Sequence, residues 1–193
     1  MPLRIGVWGG SFDPVHIGHL ILAQEAAEAC ALDRLIWMPS GSPPHKPGPF
    51  ASGMDRVDMI AAAIQDHPDF EVSTAEIERE GASYTCQTLE ELQSQEVDDL
   101  QLVLLIGADN ALDFDQWHRP DRVLELAEVV VFDRPGATSQ LLTEAVRGRM
   151  RLLGTPLIDV SSTAIRDRIL AGKSIRYWVP EPVRSLIEAR GLY

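Results

Sequence analysis

Short apolar runs alternate with segments of helical spacing along most of this chain. The runs that favour strands are Leu3–Trp8, Arg34–Pro39, Phe70–Ser73, Leu102–Gly107, Val129–Asp133 and Leu157–Val160. The segments that favour helices are Leu20–Ala31, Arg56–Gln65, Thr85–Gln95, Asp121–Leu126 and Leu141–Arg149. The runs are rich in Val, Ile and Leu and lack polar alternation, as do strands covered on both faces. The pattern therefore predicts an α/β fold with a doubly wound parallel sheet and helices on both faces.

The length and composition fit one domain of this kind. A chain of 193 residues can bury a sizeable core, so we expect a single Rossmann-like domain over residues 1–193. Seventeen basic against 29 acidic residues give a net charge of −12, which would repel a polyanion, so we expect no nucleic-acid partner. No apolar run reaches the ~18 residues of a membrane span, and Met1–Ile5 lacks the pattern of a signal peptide. We therefore expect a cytoplasmic protein without a membrane partner.

A string rich in glycine and histidine joins the first predicted strand to the first helix. It reads Gly9-Gly10-Ser11-Phe12-Asp13-Pro14-Val15-His16-Ile17-Gly18-His19-Leu20. Glycines let a ligand approach the backbone closely, and a phosphate binds well at the N-terminus of a helix after such a turn. His16 and His19, three residues apart, can point the same way and donate hydrogen bonds to phosphate oxygens. Taken alone, the glycines would also fit a plain turn, and the histidines a metal pair or a surface pair.

This string is not one of the commoner phosphate-binding motifs. No Gly-Lys-Ser/Thr follows it, so it is not a Walker A loop, and it lacks the G-x-G-x-x-G spacing of dinucleotide-binding redox folds. In an acidic chain, the cations that bind phosphate must be concentrated locally. The candidates are His16, His19, Lys46, Arg134 and Arg166.

The loop Ser40–Pro49 holds four prolines and two glycines, which exclude regular secondary structure. It follows the second predicted strand, at the carboxyl edge of the sheet, where open α/β folds bind their ligands. A surface linker is the alternative interpretation.

The segment Asp159–Arg168 predicts a strand, a cap and a helix, with Ser162 as the N-cap and Gly172 as the C′ residue. Arg166 lies one turn into this helix, so its guanidinium can reach back toward the capped end. Serine hydroxyls, backbone N–H groups and an arginine would then form a phosphate cradle. An ordinary capped helix with a solvated arginine is the alternative.

Together, these two strings resemble the nucleotidyltransferase superfamily marked by a (His/Thr)-x-Gly-His motif. The wider form GSFDPxHxGHL is present, and the superfamily's C-terminal Ser-x-Thr-x-x-Arg type motif reads Ser161-Ser162-Thr163-Ala164-Ile165-Arg166. The resemblance implies adenylyl or cytidylyl transfer. It implies an ATP site formed by Gly10, Ser11, Phe12, His16, His19, Asp109, Ser161, Ser162, Thr163 and Arg166. Of these residues, His16, His19 and Arg166 would be catalytic.

Further segments resemble the bacterial nicotinate mononucleotide adenylyltransferases. They are Pro43–Lys46, Ser83-Tyr84-Thr85 with Gln87-Thr88-Leu89, Ile106–Asp109, Trp117-His118, Arg134–Gly136 and Gly191–Tyr193. This resemblance runs from Ile5 to Tyr193. It implies an acceptor site formed by His45, Lys46, Tyr84, Thr85, Trp117 and Arg134. Trp117 would stack on the pyridine ring, as flat cations favour indole faces; a core tryptophan is the alternative. Ser11 stands where threonine is common in the family, and both residues carry a hydroxyl.

The resemblance implies a reaction without a protein nucleophile. The acceptor phosphate is largely dianionic at pH 7, because its second pKa is about 6, and it would attack the α-phosphate of ATP. Mg²⁺ would be held mainly by the phosphates of ATP, since the sequence shows no carboxylate cage and Cys30 and Cys86 have no metal-ligand spacing. We expect ATP and nicotinate mononucleotide as partners, and a homo-oligomer stays open. The rival interpretations are a phosphopantetheine adenylyltransferase and a nucleotide-sensing module without turnover.

Overall fold

The computed structural model describes residues 2–41, 50–95, 99–133, 136, 140 and 142–193. Its strands are β1 (Leu3–Gly10), β2 (Arg34–Pro39), β3 (Phe70–Val72), β4 (Leu100–Gly107), β5 (Ala127–Phe132) and β6 (Arg151–Leu153). Its helices are α1 (Ile17–Ala29), α2 (Gly53–Ile64), α3 (Ala75–Glu78), α4 (Thr85–Gln95), α5 (Ala108–Leu112), α6 (Pro120–Leu126), α7 (Glu144–Arg147), α8 (Ser162–Leu170) and α9 (Glu181–Arg190). A 3₁₀ turn, Phe114–Gln116, lies between α5 and α6.

These strands form a six-stranded parallel sheet. Their order is β3-β2-β1-β4-β5-β6, which is the order of a Rossmann-type sheet. The chain winds outward from β1 through β2 and β3, and then outward from β4 in the other direction. A crevice therefore opens between the carboxyl ends of β1 and β4, where ligands bind in such folds. The predicted α/β class and parallel sheet are confirmed.

Helices cover both faces of the sheet, because side chains alternate along each strand. On one face, Trp8 and Phe132 belong to a buried cluster with residues of α1, α2, α8 and α9. On the other face, Val7 belongs to a second cluster with residues of α4, α5, α6 and α7. Cys30 lies in the first cluster, and Cys86 lies in the second. The predicted two-sided covering is confirmed.

The helices α4 and α6 lie within one residue of their predicted limits, whereas α1 and α2 begin three residues early. The early start of α1 comes from His16, which has extended backbone with φ −145°. Its carbonyl accepts the N–H groups of His19 at 2.9 Å and Leu20 at 3.3 Å. The apolar pattern begins only at Leu20 and misses this turn. Both histidines of the motif therefore lie at the very start of α1.

The prediction of a last strand at Leu157–Val160 is wrong. The last strand is β6, which pairs with β5 three residues before Pro156. Proline has no N–H to donate to a strand ladder, and residues 154–161 run on without regular structure. This path carries residues 158–160 to the cleft described below.

The helix predicted at Leu141–Arg149 is shorter than expected. The helix α7 begins after Thr143, whose hydroxyl oxygen accepts the N–H of Val146 at 3.3 Å, and Leu141 is outside the described residues.

The helices α3, α5 and α9 were not predicted. The helices α3 and α5 are four and five residues long, which is too short for a helical period of apolar residues to show. In α9, by contrast, the apolar residues Val183 and Ile187 have helical spacing that the sequence displays. Within the described ranges, no helix combines the length and apolar character needed to cross a membrane.

Gly41 follows β2 and packs directly against α3. A Cβ added here would lie 2.1 Å from the carbonyl oxygen of Glu76. We expect Gly41→Ala to lower the free energy of unfolding by about 1–3 kcal/mol, because the clash is with backbone and must displace α3. Gly154→Ala is the matched control, since nothing lies within 4 Å of the Cβ it would add, and it should change stability by less than ~0.5 kcal/mol. Urea denaturation measures both; equal stability of the two variants would contradict this packing.

Candidate active site

An open cleft of about 510 Å³ lies at the carboxyl end of the sheet. The segments that follow β1, β4 and β5 form its walls, together with the start of α8. All the residues predicted to bind ATP line it: Gly10, Ser11, Phe12, His16, His19, Asp109, Ser161, Ser162, Thr163 and Arg166. The fold thus brings two strings from opposite ends of the chain around one cleft.

His16 and His19 are buried in this cleft. They are 2% and 6% exposed, and their rings stack with centroids 3.7 Å apart. The backbone N–H of His16 donates to Nδ1 of His19 at 3.2 Å, so a neutral His19 ring carries its proton on Nε2. Trp8 and Phe12 meet the His19 ring edge-on, at 5.6 and 5.1 Å between centroids. These contacts exclude a surface pair and make Nε2 of His19 a hydrogen-bond donor on a fixed ring.

The backbone turns sharply at Phe12, which has a positive φ of 47° and is 2% exposed. Its ring packs beside Gly10, where an added Cβ would lie 3.0 Å from it. The Phe12 side chain therefore belongs to the core, and the residue also lines the cleft. Gly9 and Ser11 are exposed on either side. The string is thus more than a plain turn, because it arranges exposed backbone around a buried aromatic ring.

Asp13 joins the string to three other segments. It is 3% exposed. Its Oδ2 accepts the N–H of Phe50 at 2.7 Å, and its Oδ1 accepts the N–H of Ala51 at 3.1 Å and the hydroxyl of Tyr193 at 2.6 Å. Its carbonyl oxygen accepts a hydrogen bond from Nη1 of Arg166 at 2.6 Å. Since a buried carboxylate is costly without hydrogen-bond donors, these contacts are what allow Asp13 to lie in the interior.

A second buried charge, Arg56 on α2, connects two loops beside the cleft. It is 2% exposed, and it donates to the carbonyl oxygens of Ser11 at 2.9 Å and Ser40 at 2.8 Å. Burial lowers the pKa of Arg56, and the charge of Asp13 partly offsets this effect. Sequence reasoning gave no role to either residue. The available signals were an aspartate inside a largely apolar string and an arginine on the apolar face of a helix.

Ser161 is the N-cap of α8, so the prediction of Ser162 is wrong. The Ser161 Oγ accepts the N–H of Ala164 at 3.1 Å, whereas the Ser162 hydroxyl donates to the carbonyl of Pro14 at 2.8 Å. Because Ser162 joins α8 to the glycine–histidine string, the capping role passes to the preceding serine. The predicted C′ role of Gly172 is confirmed by its left-handed backbone, with φ +65°.

The side chain of Arg166 reaches back toward the start of α8, as predicted. Its Nη1 donates to the carbonyl of Asp13 at 2.6 Å, and its Nη2 donates to Oγ1 of Thr163 at 3.2 Å. The guanidinium lies 4.6 Å from the ring centroid of Phe50, and Nη1 is 3.9 Å from the Asp13 carboxylate. The hydrogen bonds of Arg166 thus go to neutral oxygens, and its charge can act on an anion in the cleft.

Carboxylates also line the cleft. Asp109 lies in the first turn of α5, Asp133 follows β5, and Asp159 precedes α8. In the part of the chain that the structure describes, no three His, Cys, Asp or Glu side chains come together as a metal site. The cleft therefore combines the donor groups of Arg166 and the two histidines with acceptors, which suits a ligand that carries both phosphates and hydroxyls.

Tyr84, Thr85 and Trp117 lie on neighbouring segments outside the residues that line the cleft. Thr85 is the first residue of α4, and the ring of Tyr84 lies 4.4 Å from that of His118. Trp117 is half-buried and packs against Phe114, with 5.1 Å between ring centroids. It thus has both core contacts and an exposed part. The remaining predicted acceptor residues, His45, Lys46 and Arg134, lie outside the described residues.

Known proteins share the fold of this chain. A nicotinic acid mononucleotide adenylyltransferase of Plasmodium falciparum, solved as a complex with NaAD, superposes with a TM-score of 0.79 at 15% identity, covering 99% of this chain and 97% of that one. The same protein complexed with APC gives a TM-score of 0.76, with the same identity and coverage.

Similarity in sequence is closer and covers nearly the whole chain. A family model described as cytidylyltransferase-like matches residues 7–168. A probable nicotinate-nucleotide adenylyltransferase of Exiguobacterium sibiricum is 42% identical over 191 residues, covering 99% of both chains. Another, of Roseiflexus sp., is 43% identical over 195 residues, covering 98% of this chain and 97% of its own. The chain therefore belongs to the cytidylyltransferase-like family and, within it, to the nicotinate-nucleotide adenylyltransferases.

Proposed function

We propose that this protein transfers the adenylyl group of ATP to nicotinate mononucleotide, which yields nicotinate adenine dinucleotide and pyrophosphate in NAD biosynthesis. The observation that carries the proposal is that His16, His19 and Arg166 meet around one cleft at the carboxyl ends of β1 and β4. The names of the curated relatives support the same acceptor. We take the whole chain, residues 1–193, as the single domain that performs this reaction.

The reaction requires the alignment of two anions and no protein nucleophile. The acceptor phosphate is largely dianionic at pH 7, because its second pKa is about 6. One of its oxygens forms the new bond to the α-phosphorus of ATP. The bond from that phosphorus to the oxygen bridging to the β-phosphate breaks, and pyrophosphate leaves. The protein therefore acts mainly by holding the two phosphates in line and offsetting their repulsion.

His16, His19 and Arg166 would donate hydrogen bonds to the phosphates of ATP. The proton on Nε2 of His19 is set by the hydrogen bond at Nδ1, so the donor is in place before charge grows on the phosphate oxygens. Residues 161–163 would add the backbone N–H groups at the start of α8, where the helix dipole also favours an anion. Residues 10–12 line the cleft and would offer backbone groups to the triphosphate.

Asp109 would accept hydrogen bonds from the ribose hydroxyls of ATP, as carboxylates after a strand do in dinucleotide sites. Mg²⁺, when bound, would be held mainly by the phosphates of ATP and by water, and it would offset the charge of those phosphates. The described residues form no metal cluster of their own.

The acceptor would lie against Trp117, with its pyridine ring on the exposed part of the indole. The N–H groups at the start of α4, together with the hydroxyls of Tyr84 and Thr85, would bind the nicotinate carboxylate. His45, Lys46 and Arg134 stay predictions. We also propose a cytoplasmic location without nucleic-acid or membrane partners, because a net charge of −12 disfavours binding to polyanions.

The test of this function is pyrophosphate release with ATP, Mg²⁺ and a panel of acceptors. Nicotinate mononucleotide should be used best, because a site with donors for a carboxylate rejects an amide strongly. Removal of Mg²⁺ with EDTA should stop turnover. A preference for phosphopantetheine would contradict the proposed acceptor. ATP binding without pyrophosphate release for any acceptor would indicate a nucleotide-sensing module instead.

Replacement of His19 by alanine should abolish most turnover in a protein that stays folded. The loss of one preorganised donor to a reacting group costs about 100- to 1000-fold in kcat. His67→Ala is the matched control, because the ring of His67 stacks on Phe70 and does not line the cleft. Pyrophosphate release measures kcat, and melting temperatures report folding. A folded His19→Ala protein with near-normal kcat would contradict the assigned role.

Replacement of Trp117 by alanine should raise the KM for nicotinate mononucleotide and spare the KM for ATP. A stack on a cationic ring is worth about 0.5–2 kcal/mol, so the expected rise is roughly 2- to 30-fold. Trp117→Phe should recover part of it, because phenylalanine keeps an aromatic face. If Trp117 acts only through its contact with Phe114, alanine will instead lower the melting temperature and leave the acceptor KM unchanged, which would refute the stacking role.

A further inference from the structure

Tyr193 follows α9, and its hydroxyl reaches the glycine–histidine string. The hydroxyl donates to Oδ1 of Asp13 at 2.6 Å, across 180 positions of sequence. Burial raises the pKa of Tyr193, and the hydrogen bond to Asp13 raises it further. The hydroxyl therefore stays protonated near neutral pH and is a constant donor to the carboxylate.

The position of Tyr193 is set outside the cleft, where α9 packs on α2. Nη1 of Arg190 lies 2.7 Å from Asp55 and 2.8 Å from Asp58. The helix α9 ends at Gly191, whose left-handed backbone has φ 60°, and Tyr193 then packs against the buried cluster on this face of the sheet. Its hydroxyl is thus placed at Asp13 by residues that follow a helix joined to α2.

Asp13 stands between Tyr193 and Arg166. Its Oδ1 accepts from Tyr193 and Ala51, and its Oδ2 accepts from Phe50 and lies 3.9 Å from Nη1 of Arg166. These three donors fix the orientation of the carboxylate and disperse its charge. With Asp13 so held, Nη1 of Arg166 bonds to the Asp13 carbonyl oxygen instead of the carboxylate.

We propose that Tyr193 is a positioning residue for adenylyl transfer, because its hydroxyl holds the Asp13 carboxylate and so keeps Arg166 available to the phosphates of ATP. The inference rests on the proposed function, in which Arg166 binds those phosphates. Without the hydroxyl, Oδ1 keeps one donor, at 3.1 Å, and the carboxylate turns toward the guanidinium of Arg166. The other nearby arginine, Arg56, is held by two backbone carbonyls. A closer Asp13–Arg166 pair would neutralise charge that the cleft requires.

The test is a double-mutant cycle of Tyr193→Phe and Arg166→Ala. Phenylalanine keeps the ring that packs on the core, so Tyr193→Phe should fold. It should raise the KM for ATP by about 3- to 30-fold, which lies within the range of coupling in a shared hydrogen-bond network, and leave the KM for nicotinate mononucleotide nearly unchanged. In the Arg166→Ala background, where the KM for ATP is already raised, the same change should add little. Tyr177→Phe is the matched control, because Tyr177 is 81% exposed.

A purely structural role for Tyr193 gives different results. The melting temperature would fall, the KM for ATP would stay unchanged, or the effects of the two substitutions would be additive. Any unchanged or additive KM in folded variants would overturn the positioning role. Failure of the proposed function is distinguishable, because wild-type protein would then release no pyrophosphate with nicotinate mononucleotide. In that case the cycle is measured on the dissociation constant of ATP, with the same expected non-additivity.

Discussion

The geometry of the cleft depends on the buried carboxylate of Asp13 and on the hydrogen bonds that it accepts. A carboxylate in the interior is strongly unfavourable unless several donors surround it. Here the donors come from the backbone before α2 and from Tyr193 after α9, while the carbonyl of the same residue accepts from Arg166 on α8. The parallel sheet by itself brings together only the segments that follow the carboxyl ends of its strands. The hydrogen bonds of Asp13 also connect the segments at α2, α8 and α9 to the string after β1.

Arg166, which lines the cleft, differs from several surface arginines in the hydrogen-bond partners that it has. Several arginines form ion pairs at the surface, namely Arg4 with Glu128, Arg122 with Glu90 and Arg184 with Glu181. Such pairs contribute little to stability, but they cancel charge. Arg56 and Arg166 donate instead to carbonyl and hydroxyl oxygens. The guanidinium of Arg166 can thus act on a phosphate, although the chain has a net charge of −12 and three aspartates also line the cleft.

The sheet could be foreseen from local patterns, whereas the set of predicted ATP residues came from the resemblance to the nucleotidyltransferase superfamily. Buried strands show as apolar runs, and a glycine–histidine string between a strand and a helix must lie at the edge of the sheet. The misplaced last strand ignored Pro156, which disfavours a strand, whereas the N-cap of α8 depends on a tertiary contact. Ser162 is drawn away from capping by the carbonyl of Pro14. The role of Asp13 was hidden for the same reason, since its donors lie 37 to 180 positions away.

The most direct test of this account is a crystal structure of the protein with a non-hydrolysable ATP analogue and nicotinate mononucleotide. The account predicts that the triphosphate lies between His19 and the first turn of α8, within hydrogen-bond reach of Arg166, and that the pyridine ring rests on Trp117. Phosphates bound outside the cleft at the carboxyl ends of β1 and β4, or a pyridine ring remote from Trp117, would contradict it.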